Sequence, residues 1–328
     1  MKYILILSNI LIVIIVLNVF GNKKIDSNLE TFSHIVEKGE TISLLCIDYF
    51  GFFSKELADS IKKRNPIIKD INLIYPGQTV ILVNPLYKKK TQDSSFVNQH
   101  QYIVQAVVTY VEGDAYIFSN NQKEAKKLFS NTIIYPGDVI QTKEGARVEI
   151  IINKETVIRL KEKTRLTLSS LKDTSKAALK TKADFNIGAI WAKIKKIRDS
   201  KSSFDVELPN AVAGVHGTVY EAEIQQDSSS EIKVFSGEVV VKNSPAMVKK
   251  PNFREVGEIS GPLEIEGPKE VSLEEWSAIL KEMQKIKIDK KGKAGKIESF
   301  SKNEKDLWEN WNIERDKRIS KLFKENEK

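Results

Sequence analysis

The chain has 328 residues, 41% hydrophobic and 29% charged, room for about two domains with cores of their own. Its formal charge of +8, from 52 basic against 44 acidic residues, is a mild, interspersed excess. That excess suits a solvated lysine surface, an acidic envelope polymer or an anionic lipid, and without a dense arginine stripe it excludes a nucleic-acid partner. One cysteine excludes an internal disulfide, and His34, His100 and His216 are too far apart for metal-ligand spacing.

Met1 to Phe20 opens with a single lysine and continues as an apolar run, Ile4 to Phe20, interrupted by Ser8, Asn9 and Asn18. The run is short of the roughly 20 residues a membrane span needs and suits the hydrophobic part of an export signal. Val19 and Gly21 stand at the small-residue positions of a cleavage site before Asn22. Residues 1–21 are thus either a cleaved signal or an uncleaved anchor in the inner membrane. No cysteine follows the run, so lipidation there is excluded. Either form sends the remainder to the periplasm or cell envelope.

Residues 32–83 carry a βααβ pattern. A strand from Ser33 to Val36 enters a polar turn, Glu37 to Glu40. Ile42, Leu45, Cys46 and Tyr49 then recur on one face of a helix starting near Thr41. Ser54 is the expected N-cap of a second helix carrying Leu57, Ala58 and Ile61 inward. Asn65-Pro66 stops it, because a residue before proline is pushed out of the α region. A Pro76-Gly77 turn leads to a last strand, Thr79 to Val83. Cys46, on the apolar face, reads as a buried small hydrophobe.

On Val36…Lys38-Gly39-Glu40-Thr41-Ile42, Asn65-Pro66 and Asn72-Leu73-Ile74-Tyr75-Pro76-Gly77-Gln78, this stretch resembles a lysin motif (LysM) domain. The resemblance implies binding of N-acetylated glycan, either peptidoglycan or a chitin-like polymer. It implies a groove with Gly39, Glu40, Thr41 and Ile42 on one wall and Pro66, Asn72, Leu73 and Ile74 on the other. Backbone groups and small polar side chains there can pair with acetamide and hydroxyl groups, with Ile42 and Ile74 offering apolar contact. Aspartate at Ile42 or Ile74 is expected to weaken glycan binding without unfolding. The competing reading is that these residues only shape turns.

Residues 84–102 are a linker, polar and aperiodic from Lys88-Lys89-Lys90 through His100. From residue 103 to 243 the chain reads as all-β, a sandwich or a β-helix-like stack. Predicted strands are Val107–Val111, Ala115–Phe118, Val139–Thr142, Arg147–Ile152, Thr156–Leu160 and Arg165–Leu168, then Ile190–Ile194, Phe204–Leu208, Val219–Ile224, Ile232–Phe235 and Glu238–Val241. Gly188, Gly217 and Gly237 are expected at turns, and Ser169 to Lys182 as a loop or a short excursion.

Gly113-Asp114-Ala115, Pro136-Gly137-Asp138-Val139-Ile140-Gln141-Thr142 and Gly145-Ala146-Arg147-Val148-Glu149-Ile150 make this region similar to a FecR domain. Gly188-Ala189-Ile190-Trp191, Phe204-Asp205-Val206, Ala211 to Thr218 and Gly237-Glu238-Val239 continue the likeness. His216 departs from it, since the family carries arginine there, and an imidazole cannot replace a permanent forked guanidinium. That position is either structural or faces a partner. The family's regulators relay a transport signal to a cytoplasmic sigma factor. Only Met1 to Tyr3 precede the apolar run, so direct sigma-factor control is not expected. The resemblance implies a protein-binding or scaffolding module.

Residues 244–270 are a connector rich in proline, glycine and charge, and 271–328 are expected to form a charged helical tail. Ser272-Leu273-Glu274-Glu275 is a capping box, and Trp276, Ile279, Leu280, Met283 and Ile286 form a helical stripe behind it. A second helix, Asn303 to Lys324, has Leu307, Trp308, Trp311, Ile319, Leu322 and Phe323 as apolar positions, interrupted by Arg315 and Arg318. These helices either pack on the β-region or each other, dock a partner through tryptophan anchors, or lie on a membrane surface.

No cofactor or metal is expected, and no catalysis. The histidines cannot form a zinc site, Cys46 belongs to a helical core, and no phosphate cradle or serine elbow is present. The expectation is a non-catalytic, multidomain envelope protein with glycan and unidentified envelope proteins as partners, or a membrane-anchored signalling accessory.

Overall fold

The computed structural model describes residues 31–85, 105–119, 124–152, 156–173, 179–195, 203–244, 276–303 and 305–324. The export segment, most of the linker and connector, and the capping box at Ser272 lie outside the described residues.

The N-terminal unit is a βααβ arrangement: β1 (Thr31–Ile35), α1 (Ile42–Phe50), α2 (Lys55–Arg64) and β2 (Thr79–Val83). β1 and β2 pair antiparallel, Thr31 opposite Val83 and Ile35 opposite Thr79. Thr41 caps α1 by accepting from Leu44 N–H, and Ser54 caps α2 by accepting from Leu57 N–H. The helix stop at Asn65 also ties α2 to β2. The Asn65 amide donates to the carbonyls of Ile61 (2.7 Å) and Ile81 (2.8 Å), and its oxygen accepts from Ile81 N–H (2.8 Å). Cys46 is fully buried, and burial pushes its thiol far above the ordinary range, which leaves it inert.

The rest of the described chain is mostly strand: β3 (Ala106–Glu112), β4 (Ala115–Phe118), β5 (Lys126–Lys127), β6 (Ile133–Ile134), β7 (Val139–Thr142), β8 (Arg147–Ile152), β9 (Thr156–Leu160), β10 (Arg165–Asp173), β11 (Leu179–Ile194), β12 (Ser203–Glu207), β13 (Ala211–Ile224), β14 (Ser230–Asn243), β15 (Ser277–Lys281), β16 (Gln284–Ile288) and β17 (Glu298–Ser299). A single helix, α3 (Leu307–Lys324), follows. All fifteen strands join one sheet. Among the described residues β11–β12 is its one parallel pairing, so a parallel β-helix is excluded in favour of an antiparallel sheet folded around its own core. Halves of the long strands change partners: β11 pairs first with β10 and β12, then with β9 and β13.

Three sequence expectations give way here. Within Ser169 to Lys182 the described residues are strand, because β10 runs on to Asp173 and β11 begins at Leu179, Lys172 opposite Lys180. Gly217 and Gly237 do not end strands. They sit at a break in register within β13 and β14, His216 opposite Glu238 and then Val219 opposite Ser236. A Cβ on Gly237 would stand 2.6 Å from the Gly217 carbonyl, so glycine lets two bent backbones approach. The third is the predicted helix over Trp276 to Ile286, which is instead β15 and β16. These pair with successive halves of β14, Leu280 opposite Val239 and Ile286 opposite Ile232. Leu280, Ile286 and Ile288 are buried while Ile279 is exposed. The open ladder along β14 supplies hydrogen bonds and apolar neighbours that outweigh local helical preference. The bend between them, with Met283 at φ 58, lies opposite the Gly237 break.

Strands β8 and β9 explain how the N-terminal unit is attached. Their sequences, Ile150-Ile151-Ile152 and Thr156-Val157-Ile158, are continuous runs rather than alternations, as in strands buried on both faces. Ile150, Ile152, Ile158 and Leu160 point into the sheet's own core. Val107, Ile151 and Val157 point outward into a second cluster shared with Ile42, Leu45, Ile61 and Leu82 of the N-terminal unit and Ile319 of α3.

Candidate functional site

The eight residues assigned to the groove fall into three settings. Pro66 and Leu73 are exposed, Leu73 at 53%. Gly39, Glu40, Asn72 and Ile74 are half-buried, Ile74 packed on the shared cluster. Thr41 and Ile42 are buried, Ile42 completely. The Ile42 side chain therefore shapes the core and offers no contact to a ligand, which corrects the expected apolar wall.

On the first wall, Glu40 Oε2 lies 2.7 Å from His34 Nε2 and accepts from Glu37 N–H at 2.7 Å. His34 Nδ1 is 2.9 Å from the Tyr49 hydroxyl. Thr41 Oγ1 donates to the Thr109 carbonyl of β3 at 2.8 Å, and Ser43 Oγ to the Val108 carbonyl at 3.2 Å. The Gly39 carbonyl accepts from Arg315 of α3 at 3.1 Å. Gly39 has φ +80, and a Cβ there would meet Arg315 Nη1 at 2.8 Å, so this turn favours glycine.

One residue bridges both walls. Ser43 is the second residue of α1, where the N–H has no intrahelical acceptor. It donates instead to Asn131 Oδ1 at 2.7 Å. Asn131 Nδ2 donates to the Ile71 carbonyl (3.1 Å) and to Asn72 Oδ1 (2.9 Å). The walls thus form a cradle of one donor and two acceptors, complementary to a carboxamide, and an amide from the β-region fills it. Neither Ser43 nor Asn131 was among the sequence candidates. The orphan helix donor at Ser43 was readable in principle; Asn131, 88 residues away, was not.

Behind the cradle, α3 lies on a polar row crossing the outer face of the sheet. Asp306 caps the helix, accepting from Trp308 N–H (2.8 Å) and Glu309 N–H (3.0 Å). The register sets Glu149 beside Arg159, Arg159 beside Trp191, Trp191 beside Glu221 and Glu221 beside Lys233. α3 answers this row with Arg315 on Glu149, Asp316 on Arg159 and the Trp191 indole, and Glu309 3.7 Å from Lys233. Trp308 is buried with Trp191 and Phe235, and Trp311 packs on the same group. The tail tryptophans are therefore anchors within the chain.

Burial alone would raise the Glu149 carboxyl, but Arg315 and Arg159 overcome it and hold the group at about 2. Glu221 goes the other way. Burial, only partly offset by Lys233, raises it to about 7. A carboxyl raised in the fold stabilises it fully below its ordinary value, and that stabilisation is lost as pH rises through about 7. Glu221→Gln is therefore expected to flatten the fall in stability between pH 5 and 8, worth on the order of 2 kcal/mol. Urea unfolding at both pH values checks this; an unchanged slope refutes it.

Among the described residues, no cluster of histidine, cysteine or carboxylate groups is arranged to hold a metal, and no helix is long and apolar enough to cross a membrane. Residues 138–240 match the family described as FecR protein. That match begins inside the predicted 103–243 region, and β3 to β6 precede it in the same sheet. No curated protein matches the chain. Two crystal structures of a "putative anti-sigma factor" from Parabacteroides distasonis are similar at 16% identity and a TM-score of 0.33, covering 50% of this chain. The chain spans about 60% of the length of those neighbours.

Proposed function

We propose that this chain is a non-catalytic cell-envelope protein. Its LysM-like N-terminal unit binds N-acetylated glycan of peptidoglycan or chitin type, and its FecR-type β-region is a protein-binding or scaffolding module. The observation that carries the glycan reading is the cradle between the walls. Ser43 N–H, the Ile71 carbonyl and Asn72 Oδ1 hold a carboxamide, the group an N-acetyl sugar presents. Exposed Leu73, next to Asn72 of the cradle, adds apolar surface for a sugar ring to stack on. The apolar run Ile4 to Phe20 supports export to the periplasm or cell envelope, where such glycan lies. The FecR match over 138–240 supports a second reading of that region, an accessory to envelope signalling that meets its protein partner at the membrane.

Sedimentation with purified insoluble peptidoglycan tests the glycan reading. Wild-type protein is expected to sediment at large glycan excess. Leu73→Asp, an exposed change that leaves the core intact, is expected to reduce retention about fivefold to tenfold, the scale of one lost contact near 1 kcal/mol. Equal retention of both removes Leu73 from the site; wild-type protein left in the supernatant overturns the reading.

A further inference from the structure

The bridging amide has a consequence for how glycan reaches the cradle. We propose that Asn131 is an internal occupant of the acetamide position, so that the 129–132 segment and an N-acetyl group compete for it. This rests on the glycan reading above and adds a gate to it.

The polarity of the contacts carries the argument. In an acetamide, as in the Asn131 side chain, a carbonyl oxygen can take the Ser43 N–H while an amide N–H faces the Ile71 carbonyl or Asn72 Oδ1. The chain thus supplies in cis the chemical group its proposed ligand would supply in trans. Asn131 is held at φ 69, a left-handed conformation that asparagine tolerates better than most residues. Its own N–H donates to the Val108 carbonyl at 2.8 Å, and Val108 N–H donates to the Thr132 carbonyl at 2.8 Å. The segment is therefore part of the edge of β3, on the β-region side of the interface.

The segment is also built to give way locally. Leu128 and Ile134 are buried on either side of it, whereas Phe129 is 47% exposed and Asn131 and Thr132 are half-buried. Lifting the tip out of the cradle need not draw either anchor from the core. The contacts of Thr41 and Ser43 with β3, and of Arg315 with Gly39, keep the two parts joined meanwhile. Occupancy of the cradle by glycan would then change the backbone pairing at Val108, giving the β-region a local record of whether the N-terminal unit is loaded.

Calorimetric titration of the full chain with an N-acetylglucosamine tetramer tests the gate, comparing wild type with Asn131→Gly and Asn131→Asp. Glycine accepts φ 69 without strain, and a thermal melt confirms that each variant is folded. Asn131→Gly, which removes the internal competitor, is expected to tighten binding about tenfold, since the apparent dissociation constant scales inversely with the fraction of open cradle. Asn131→Asp, which still accepts the Ser43 N–H but loses both donors, is expected to gain less. The deacetylated tetramer is expected to gain nothing. Equal affinity of all three proteins for the acetylated tetramer overturns the gate and leaves the glycan reading standing. A gain that extends equally to the deacetylated tetramer also overturns it. Binding by none of the proteins overturns both.

Discussion

Glu149→Ala is expected to lower the free energy of unfolding by about 3–5 kcal/mol, the cost of breaking a buried ion cluster by removing one partner. Glu149 is fully buried, and its two oxygens take four hydrogen bonds. Oε2 accepts from Arg159 (2.8 Å) and Arg315 (3.0 Å), Oε1 from Arg315 (2.6 Å) and Thr109 (2.8 Å). Without the carboxylate, Arg159 keeps Asp316 at 2.8 Å and the Asn312 contacts. Among the described residues Arg315 keeps the Gly39 carbonyl as its remaining hydrogen-bond acceptor, with the Tyr110 ring 4.5 Å away. One deletion should therefore loosen α3 from the sheet and from the N-terminal unit together. Replacing Glu149 and Arg315 together by methionine should cost less than Glu149→Ala alone, because Arg159 then keeps Asp316 and Arg315 is not left as a buried charge without its carboxylate. The pH dependence has a definite sign. A carboxyl held at about 2 contributes fully above its ordinary value of 4.5 and loses that contribution as pH falls toward 2. Wild type and Glu149→Ala should thus differ most at neutral pH and converge in acid. Urea unfolding at pH 7 and pH 3 measures this, and a loss below about 1 kcal/mol at pH 7 would reject the clamp.

The same cluster marks the limit of what the sequence discloses. Arg315 and Arg318 read as interruptions of an apolar helical stripe, yet Arg315 is the residue that joins three parts of the chain. Nothing local distinguishes it from a solvated arginine. Its partners Glu149 and Gly39 lie 166 and 276 residues away, and only the register of β8 against β9 puts Glu149 beside Arg159. By contrast, the βααβ order, both N-caps and most strand positions are written locally, in apolar periodicity, in Thr41 and Ser54, and in Gly and Pro turns. The helix expected at Trp276 fails for the converse reason. Its apolar spacing fits a helix, but β14 offers an open edge, and a partner distant in sequence settles the matter. The groove was half legible. Its turns and walls follow from local motifs, whereas the sides that face inward, and the amide that fills the cradle, depend on the β-region docking against α1.

Ile42→Asp should unfold the N-terminal unit rather than merely weaken a ligand contact. Ile42 is fully buried in the cluster shared with Val107, Ile151, Val157 and Ile319. Losing its side-chain volume alone costs about 2–5 kcal/mol, and a carboxyl left there without a partner adds to it. An acidic residue in the first turn of α1 gains about 0.3–1 kcal/mol from the helix dipole, too little to compensate. The expected loss is about 4 kcal/mol or more. Exposed Leu73→Asp should cost under about 0.5 kcal/mol, which makes it the variant that can report binding. The four tryptophans, Trp191, Trp276, Trp308 and Trp311, all lie outside residues 31–85. Their fluorescence therefore reads the β-region and α3, while far-UV circular dichroism also reads α1 and α2. If the shared cluster couples the parts, both signals should shift together to lower urea in Ile42→Asp, as one cooperative transition. A fluorescence midpoint unmoved from wild type, with only the dichroism displaced, would mean the N-terminal unit melts alone and that its contacts with β3 and α3 carry little of the stability of the whole.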